Sequence, residues 1–117
     1  MIKALTIRLS LLLVGAALPL SASAATVVTA QNGMTLYVFD KDAGGKPSCY
    51  GGCAAKWPPY TAKADEKMGE GWATVKRTDG ALQWTYDGKP VYFYASDKKK
   101  GDKTGDGIGG VWHIISE

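Results

Sequence analysis

Two stretches of the chain alternate apolar and polar residues on either side of an Asx-Gly pair. Thr26 to Gln31 and Met34 to Phe39 flank Asn32-Gly33; Ala81 to Tyr86 and Lys89 to Tyr94 flank Asp87-Gly88. Alternation with period two marks a half-buried strand. Asn-Gly or Asp-Gly between two such runs predicts a two-residue type I′ hairpin, in which both central residues take positive φ. In the second hairpin this turn pairs Tyr86 with Lys89, Thr85 with Pro90, Trp84 with Val91 and Leu82 with Phe93. Leu82, Trp84, Val91 and Phe93 then share a core face, while Gln83, Thr85, Tyr92 and Tyr94 share a more amphipathic one. Pro90 falls in a non-hydrogen-bonded pair, so the hairpin ladder loses no donor. Trp72 to Arg77 reads as an extra strand before the Thr78-Asp79-Gly80 turn, and Trp112-His113-Ile114-Ile115 as a closing strand. Trp57-Pro58-Pro59 is expected not to continue into a central strand, because two prolines lack donors.

The two hairpins are copies of one unit. At an offset of 55 residues Gly33 matches Gly88, Tyr37 matches Tyr92, Phe39 matches Tyr94 and Asp42 matches Asp97. Carried forward without a gap, the same offset aligns Gly52 with Gly107 and Trp57 with Trp112. Each hairpin is followed by a glycine-rich connection ending in tryptophan, Ala43 to Lys56 and Lys98 to Val111. In that register Thr104 and Ile108 stand where the first copy has Cys49 and Cys53. A fixed-period match of special residue types indicates duplication. The expected architecture is mainly β: two related hairpin units, about 27–60 and 82–115, packed about a pseudo-twofold axis as one small antiparallel domain with Gly-rich loops.

An apolar run of a different kind opens the chain. Lys3 and Arg8 precede Leu9 to Leu20, which is too short to span a bilayer, and Ala22-Ser23-Ala24 supplies small residues for cleavage. This is the pattern of a signal peptide over residues 1–24, with the mature chain starting at Ala25. Its removal would leave 93 of 117 residues with no transmembrane segment. Taking Lys3 and Arg8 from 14 basic residues leaves 12 against 11 acidic ones, so the net charge of +3 falls to +1. Nothing in that balance points to nucleic acid or an anionic membrane. The expected location is periplasmic or secreted, where disulfides are available to a domain with a small core.

Tyr37-x-Phe39-x-x-Asp42 and Tyr92-x-Tyr94-x-x-Asp97 resemble the Tyr-x-(Phe/Trp/Tyr)-x-x-Asp motif of a bacterial family of predicted lipoproteins, also called a secreted repeat of unknown function. Cys49-x-x-x-Cys53 running into Trp57-Pro58-Pro59, Arg77-x-Asp79-Gly80, Gly88-x-Pro90-x-Tyr92 and the Gly-rich approach to Trp112 fit the same family. The resemblance covers about residues 27 to 115. It implies an exported, small β-rich accessory protein. The sequence departs from many members in lacking a lipidated cysteine.

The residues that carry chemistry are few. Cys49 and Cys53 are the only cysteines, and three readings stand: a disulfide stiffening the turn that places Trp57, a cycling dithiol, or a soft-metal pair for Cu(I). The single histidine, His113, is a weak third candidate as a copper ligand and otherwise a structural residue. Asp42 and Asp97 end their strands at matched positions and are expected to cap the following turns through backbone N–H groups. Gly105-Asp106-Gly107-Ile108-Gly109-Gly110 has the spacing of a dinucleotide loop but not its strand-before, helix-after context. Trp57, Trp72, Trp84 and Trp112 either form a symmetric core or offer stacking surfaces for sugars. With no nucleophile–base constellation, the expectation is a non-enzymatic accessory or binding protein whose partner is an envelope protein or a small ligand. The alternatives are thiol-redox or copper handling through the cysteines, and carbohydrate or envelope binding through aromatic side chains.

Overall fold

The computed structural model describes residues 26–117; the signal peptide expected over residues 1–24 lies outside the described residues. Strand β1 (Tyr37–Phe39) is followed by a short helix α1 (Gly52–Lys56), β2 (Thr61–Ala62), β3 (Trp72–Lys76), β4 (Leu82–Tyr86), β5 (Lys89–Pro90) and β6 (Trp112–Ile114). β1 pairs antiparallel with β6, aligning Tyr37 with Ile114, Val38 with His113 and Phe39 with Trp112. In the second sheet β4 is central, with β2 and β3 as its antiparallel neighbours and β5 returning along it through the Asp87-Gly88 turn.

The fold is mainly β and built on two repeats. Tyr37 and Tyr92 face each other and exchange both backbone bonds, at 2.8 and 2.9 Å. An antiparallel pair between a residue and its own repeat equivalent requires a local twofold axis through it. Around that axis the units trade strands. Tyr37 of the first unit lies against Ile114 of the second, and Tyr92 of the second against Pro59 of the first. The Asp40 amide donates to the Val111 carbonyl, and the repeat-equivalent Ala95 amide donates to that of Lys56.

Three sequence expectations change. Asp87 and Gly88 take φ of 50° and 82°, the expected type I′ pair. In the first hairpin only Gly33 is left-handed, at 86°, while Asn32 is not; Thr29 then pairs with Thr35, and the Ala30 amide donates to the Met34 carbonyl. This is a three-residue turn closed by a glycine bulge, which Asn-Gly suits equally well. The first strand is thereby displaced by one residue from the 55-residue offset. Secondly, Leu82 does not meet Phe93. The segment Pro58–Ala62 runs between them, with Leu82 opposite Ala62 and the Phe93 amide donating to the Pro58 carbonyl. Trp57-Pro58-Pro59, expected not to continue into a central strand, does so: Pro59 lies opposite Tyr92, both prolines lack donors, and the Tyr60 amide supplies the segment's first one, to the Val91 carbonyl. Thirdly, both faces of the hairpins are covered. Val28, Ala30, Leu36, Trp84 and Val91 form one buried cluster; Tyr37, Cys49, Trp57, Tyr92 and Trp112 form the other. The face expected to be amphipathic is a second core, with Gln83 and Thr85 buried in it.

Candidate functional site

The centre of the second cluster is a column of four stacked rings. Trp57 and Trp112, the repeat-equivalent tryptophans, lie parallel with centroids 3.8 Å apart and 2° between planes. Phe39 extends the column over Trp112 at 4.2 Å, and its equivalent Tyr94 extends it over Trp57 at 4.2 Å. Tyr37 presents its ring edge-on to Trp57 at 5.3 Å, and Tyr92 does the same to Trp112 at 5.2 Å. Alternation along each strand places these residues on one face, and the pseudo-twofold axis brings the two sets together.

The motif tyrosines and aspartates are tied crosswise between the units. The Tyr37 hydroxyl donates to Asp97 Oδ2 at 2.6 Å, and the Tyr92 hydroxyl donates to Asp42 Oδ2 at 2.8 Å. The other oxygen of each carboxylate caps its own loop. Asp42 Oδ1 accepts from the Ser48 amide and hydroxyl, and Asp97 Oδ1 accepts from the Thr104 amide and hydroxyl. Burial and the neighbouring carboxylate push both phenols well above the ordinary tyrosine range, Tyr37 through Asp97 and Tyr92 through Asp42. The Tyr37 hydroxyl also accepts the Gly105 amide.

These caps revise the alignment of the loops. Asp42 reaches a residue six positions on, Asp97 one seven positions on, so Thr104 is the counterpart of Ser48. Cys49 thus corresponds to Gly105, not to Thr104. The extra residue belongs to the Lys98–Lys103 turn, where Asp102 Oδ2 accepts the Lys98 and Lys99 amides. A Cβ on Gly105 would lie 2.7 Å from the Trp57 ring and 2.9 Å from that of Tyr94. The residue facing the column must therefore be glycine in this loop, whereas the first unit accommodates Cys49.

Cys49 and Cys53 form a disulfide, Cys49 fully buried and Cys53 half-buried at the start of α1. Arg77, at the end of β3, holds this arm to the sheet. It is 3% exposed; Nη2 donates to the Cys49 carbonyl at 2.7 Å, Nη1 to Gln83 Oε1 at 2.6 Å, and Nε faces Asp79 at 3.4 Å. Its guanidinium lies 4.2 Å from the Tyr50 ring centre. Such burial of a charge requires this many partners. In the sequence Arg77 stands only as the end of an expected strand and the start of a turn motif; its one local cue is Asp79 two residues on.

The weak metal candidates are not brought together. Both sulfurs are in the disulfide, and His113 lies on the opposite face of β6 from Trp112, its Nε2 2.8 Å from Asp40 Oδ2. Among the described residues no group of three or more His, Cys, Asp or Glu side chains has metal-site geometry. Of the tryptophans, Trp57, Trp84 and Trp112 are buried, and Trp72 alone is half-buried. It lines an open groove of about 540 Å³ with Glu66, Lys67, Met68 and Thr74. A second cleft of about 370 Å³ contains the Asp40–His113 pair, Tyr86 and Lys89.

This architecture, two small β units that complete each other around shared aromatic residues, defines the class as an internally duplicated repeat domain. A family model described as a secreted repeat of unknown function matches residues 22–61 and 73–116. The chain belongs to this family of secreted repeats. No curated protein and no solved structure matches it. No helix among the described residues is long and apolar enough to cross a membrane.

Proposed function

We propose that this chain is an exported accessory protein that binds a ligand without transforming it, and that the ligand is a saccharide of the cell envelope held in the groove beside Trp72. The observation that carries this reading is the occupation of the motif side chains. Tyr37, Tyr92, Asp42, Asp97 and both cysteines are committed to internal ties, which leaves the repeats to act as scaffold. The segment between the repeats supplies most of the groove and its half-buried tryptophan. An indole flanked by Glu66, Lys67 and Thr74 combines an apolar surface with polar groups for hydroxyls. The apolar leader supports export, with cleavage near Ala24 and release into the periplasm or medium.

Titration of the mature protein with soluble cell-wall glycan fragments, followed by tryptophan fluorescence, tests the reading. Saturable quenching that disappears in Trp72→Ala is expected. Fluorescence that stays constant across the series, or quenching retained by Trp72→Ala, removes this groove as the site.

A further inference from the structure

The aromatic column brings two indoles into unusually close parallel contact. Most aromatic pairs are offset or edge-to-face with centroids about 4.5–7 Å apart. Trp57 and Trp112 stack parallel and closer than that, at 3.8 Å and 2°, both at or below 5% exposure. Close parallel overlap is what shares an electron hole between two rings. Removing one electron from such a pair is easier than from an isolated indole, and burial of both rings shields the resulting cation from reaction with solvent.

The neighbouring phenols complete a redox unit. A phenol that loses an electron becomes a very strong acid, so its oxidation is easy only where a base already holds its proton. Tyr37 and Tyr92 touch the tryptophan pair edge-on, and each hydroxyl already donates to a carboxylate. Asp97 is 7% exposed, and its second oxygen is fixed by Thr104, so proton transfer there requires no movement of heavy atoms. At the ends of the column, half-buried Phe39 and Tyr94 link the interior to the surface.

We propose that this core is a one-electron redox centre, in which Trp57 and Trp112 take up an oxidising equivalent and the Tyr37–Asp97 and Tyr92–Asp42 pairs hold it as a tyrosyl radical. The co-reactant is an outer-sphere one-electron oxidant of the high-potential metal-complex class. The oxidant gains one electron and the tryptophan pair loses it. An electron from Tyr37 then refills the pair while the phenolic proton passes from Oη to Asp97 Oδ2. The products are a neutral tyrosyl radical and a neutral carboxylic acid, matching the single electron removed. An outer-sphere one-electron reductant of the low-potential metal-complex class then gives one electron to the tyrosyl radical, and Asp97 returns the proton to Oη. This activity is independent of any ligand bound beside Trp72.

The test is flash oxidation of the intact mature protein by photogenerated ruthenium(III) tris-bipyridine with an irreversible cobalt(III) quencher, followed by freeze-trapping and electron paramagnetic resonance. A tyrosyl signal that narrows with ring-deuterated tyrosine is expected. It should be lost in the Tyr37→Phe/Tyr92→Phe variant, leaving a tryptophan radical. In Asp97→Asn/Asp42→Asn, which keeps the phenols but removes the proton acceptors, the tyrosyl signal should form more slowly. Because these variants are destabilised, the folded wild type is also compared with the same chain in urea, where the radical should decay faster. A signal unchanged in the double Phe variant would place the radical on Tyr50, Tyr60, Tyr86 or Tyr94 and overturn the proposal. Equal yield and lifetime in folded and unfolded protein would overturn it as well.

Discussion

Replacing Tyr37 by Phe keeps the ring and its edge contact with Trp57 but removes the hydroxyl that joins the two units. Two groups lose their partner at once. Asp97 Oδ2 loses its donor at 2.6 Å, the Gly105 amide loses its acceptor at 3.1 Å, and both sit in buried surroundings. A hydrogen bond to a charged group contributes about 1.5–3 kcal/mol, and an orphaned buried donor costs about 1–3 kcal/mol. Allowing for partial relaxation, Tyr37→Phe should cost roughly 3–4 kcal/mol. The repeat-equivalent Tyr92→Phe should cost less, about 1.5–2 kcal/mol, because Asp42 is only half-buried and water can reach the freed oxygen. Urea denaturation at neutral pH reads both, as a shift in midpoint at constant slope. For a domain of this size the larger loss corresponds to a fall in Tm of roughly 15–25 °C. In a double-mutant cycle, Asp97→Ala added to Tyr37→Phe should cost less than the two single losses combined. Equal losses in the two Phe variants, or a loss below about 1 kcal/mol for Tyr37→Phe, would refute the assignment of Asp97 as the buried half of this tie.

The same phenols predict alkaline lability. Their folded-state pKa values are raised, so above pH of about 10 the folded chain binds more protons than the unfolded one. Stability contributed by this shift is complete below that pH and is lost as pH rises, with a slope of up to about 1.4 kcal/mol per pH unit for each tyrosine. Urea midpoints between neutral and strongly alkaline pH should therefore fall less steeply in Tyr37→Phe than in the wild type, and parallel curves would count against the shift. For the disulfide, removing both cysteines as Cys49→Ser/Cys53→Ser should cost about 2 kcal/mol in chain entropy for so short a loop, plus about 1–3 kcal/mol for a hydroxyl at the fully buried position of Cys49. Redox titration should leave the pair oxidised down to about −300 mV, the range of structural bridges. Reduction near the potentials of thiol-exchange proteins would instead favour a cycling dithiol.

The parts legible in the sequence are those fixed by local chemistry. Asp87-Gly88 set both turn type and register of the second hairpin, because few residue pairs accept two consecutive positive φ values. Asn32-Gly33 carried the same information less uniquely, since one left-handed glycine suffices for a bulged turn. The repeat offset identified Trp57 and Trp112 as equivalents, and hence as neighbours of the axis. What it left open was which strand lies beside which. Periodicity assigns residues to faces and is silent on lateral order, so the passage of Pro58–Ala62 between Leu82 and Phe93 had no local mark. The cross-ties were hidden for a related reason. Tyr37 and Asp97 are 60 positions apart, and spacing showed only the five-residue interval within each copy. Arg77 was hidden differently, as a charged residue beside a turn, where exposure is the ordinary outcome.

The crosswise pattern has a consequence for how the duplication is held together. Had each tyrosine bonded the aspartate of its own copy, either unit would satisfy its polar groups alone. As built, the first unit carries a phenol whose acceptor belongs to the second, and the second carries the phenol that Asp42 requires. The strand exchange follows the same rule, since Tyr37 and Tyr92 each find their backbone partners across the axis. Neither half can bury its aromatic face without the other, because each contributes one tryptophan to the central stack. The asymmetric features sit on top of this shared plan: the disulfide, Arg77 and the Trp72 groove each occur once. Symmetric residues therefore serve the interior that both units share, and the single-copy segments are where one face of the molecule differs from the other.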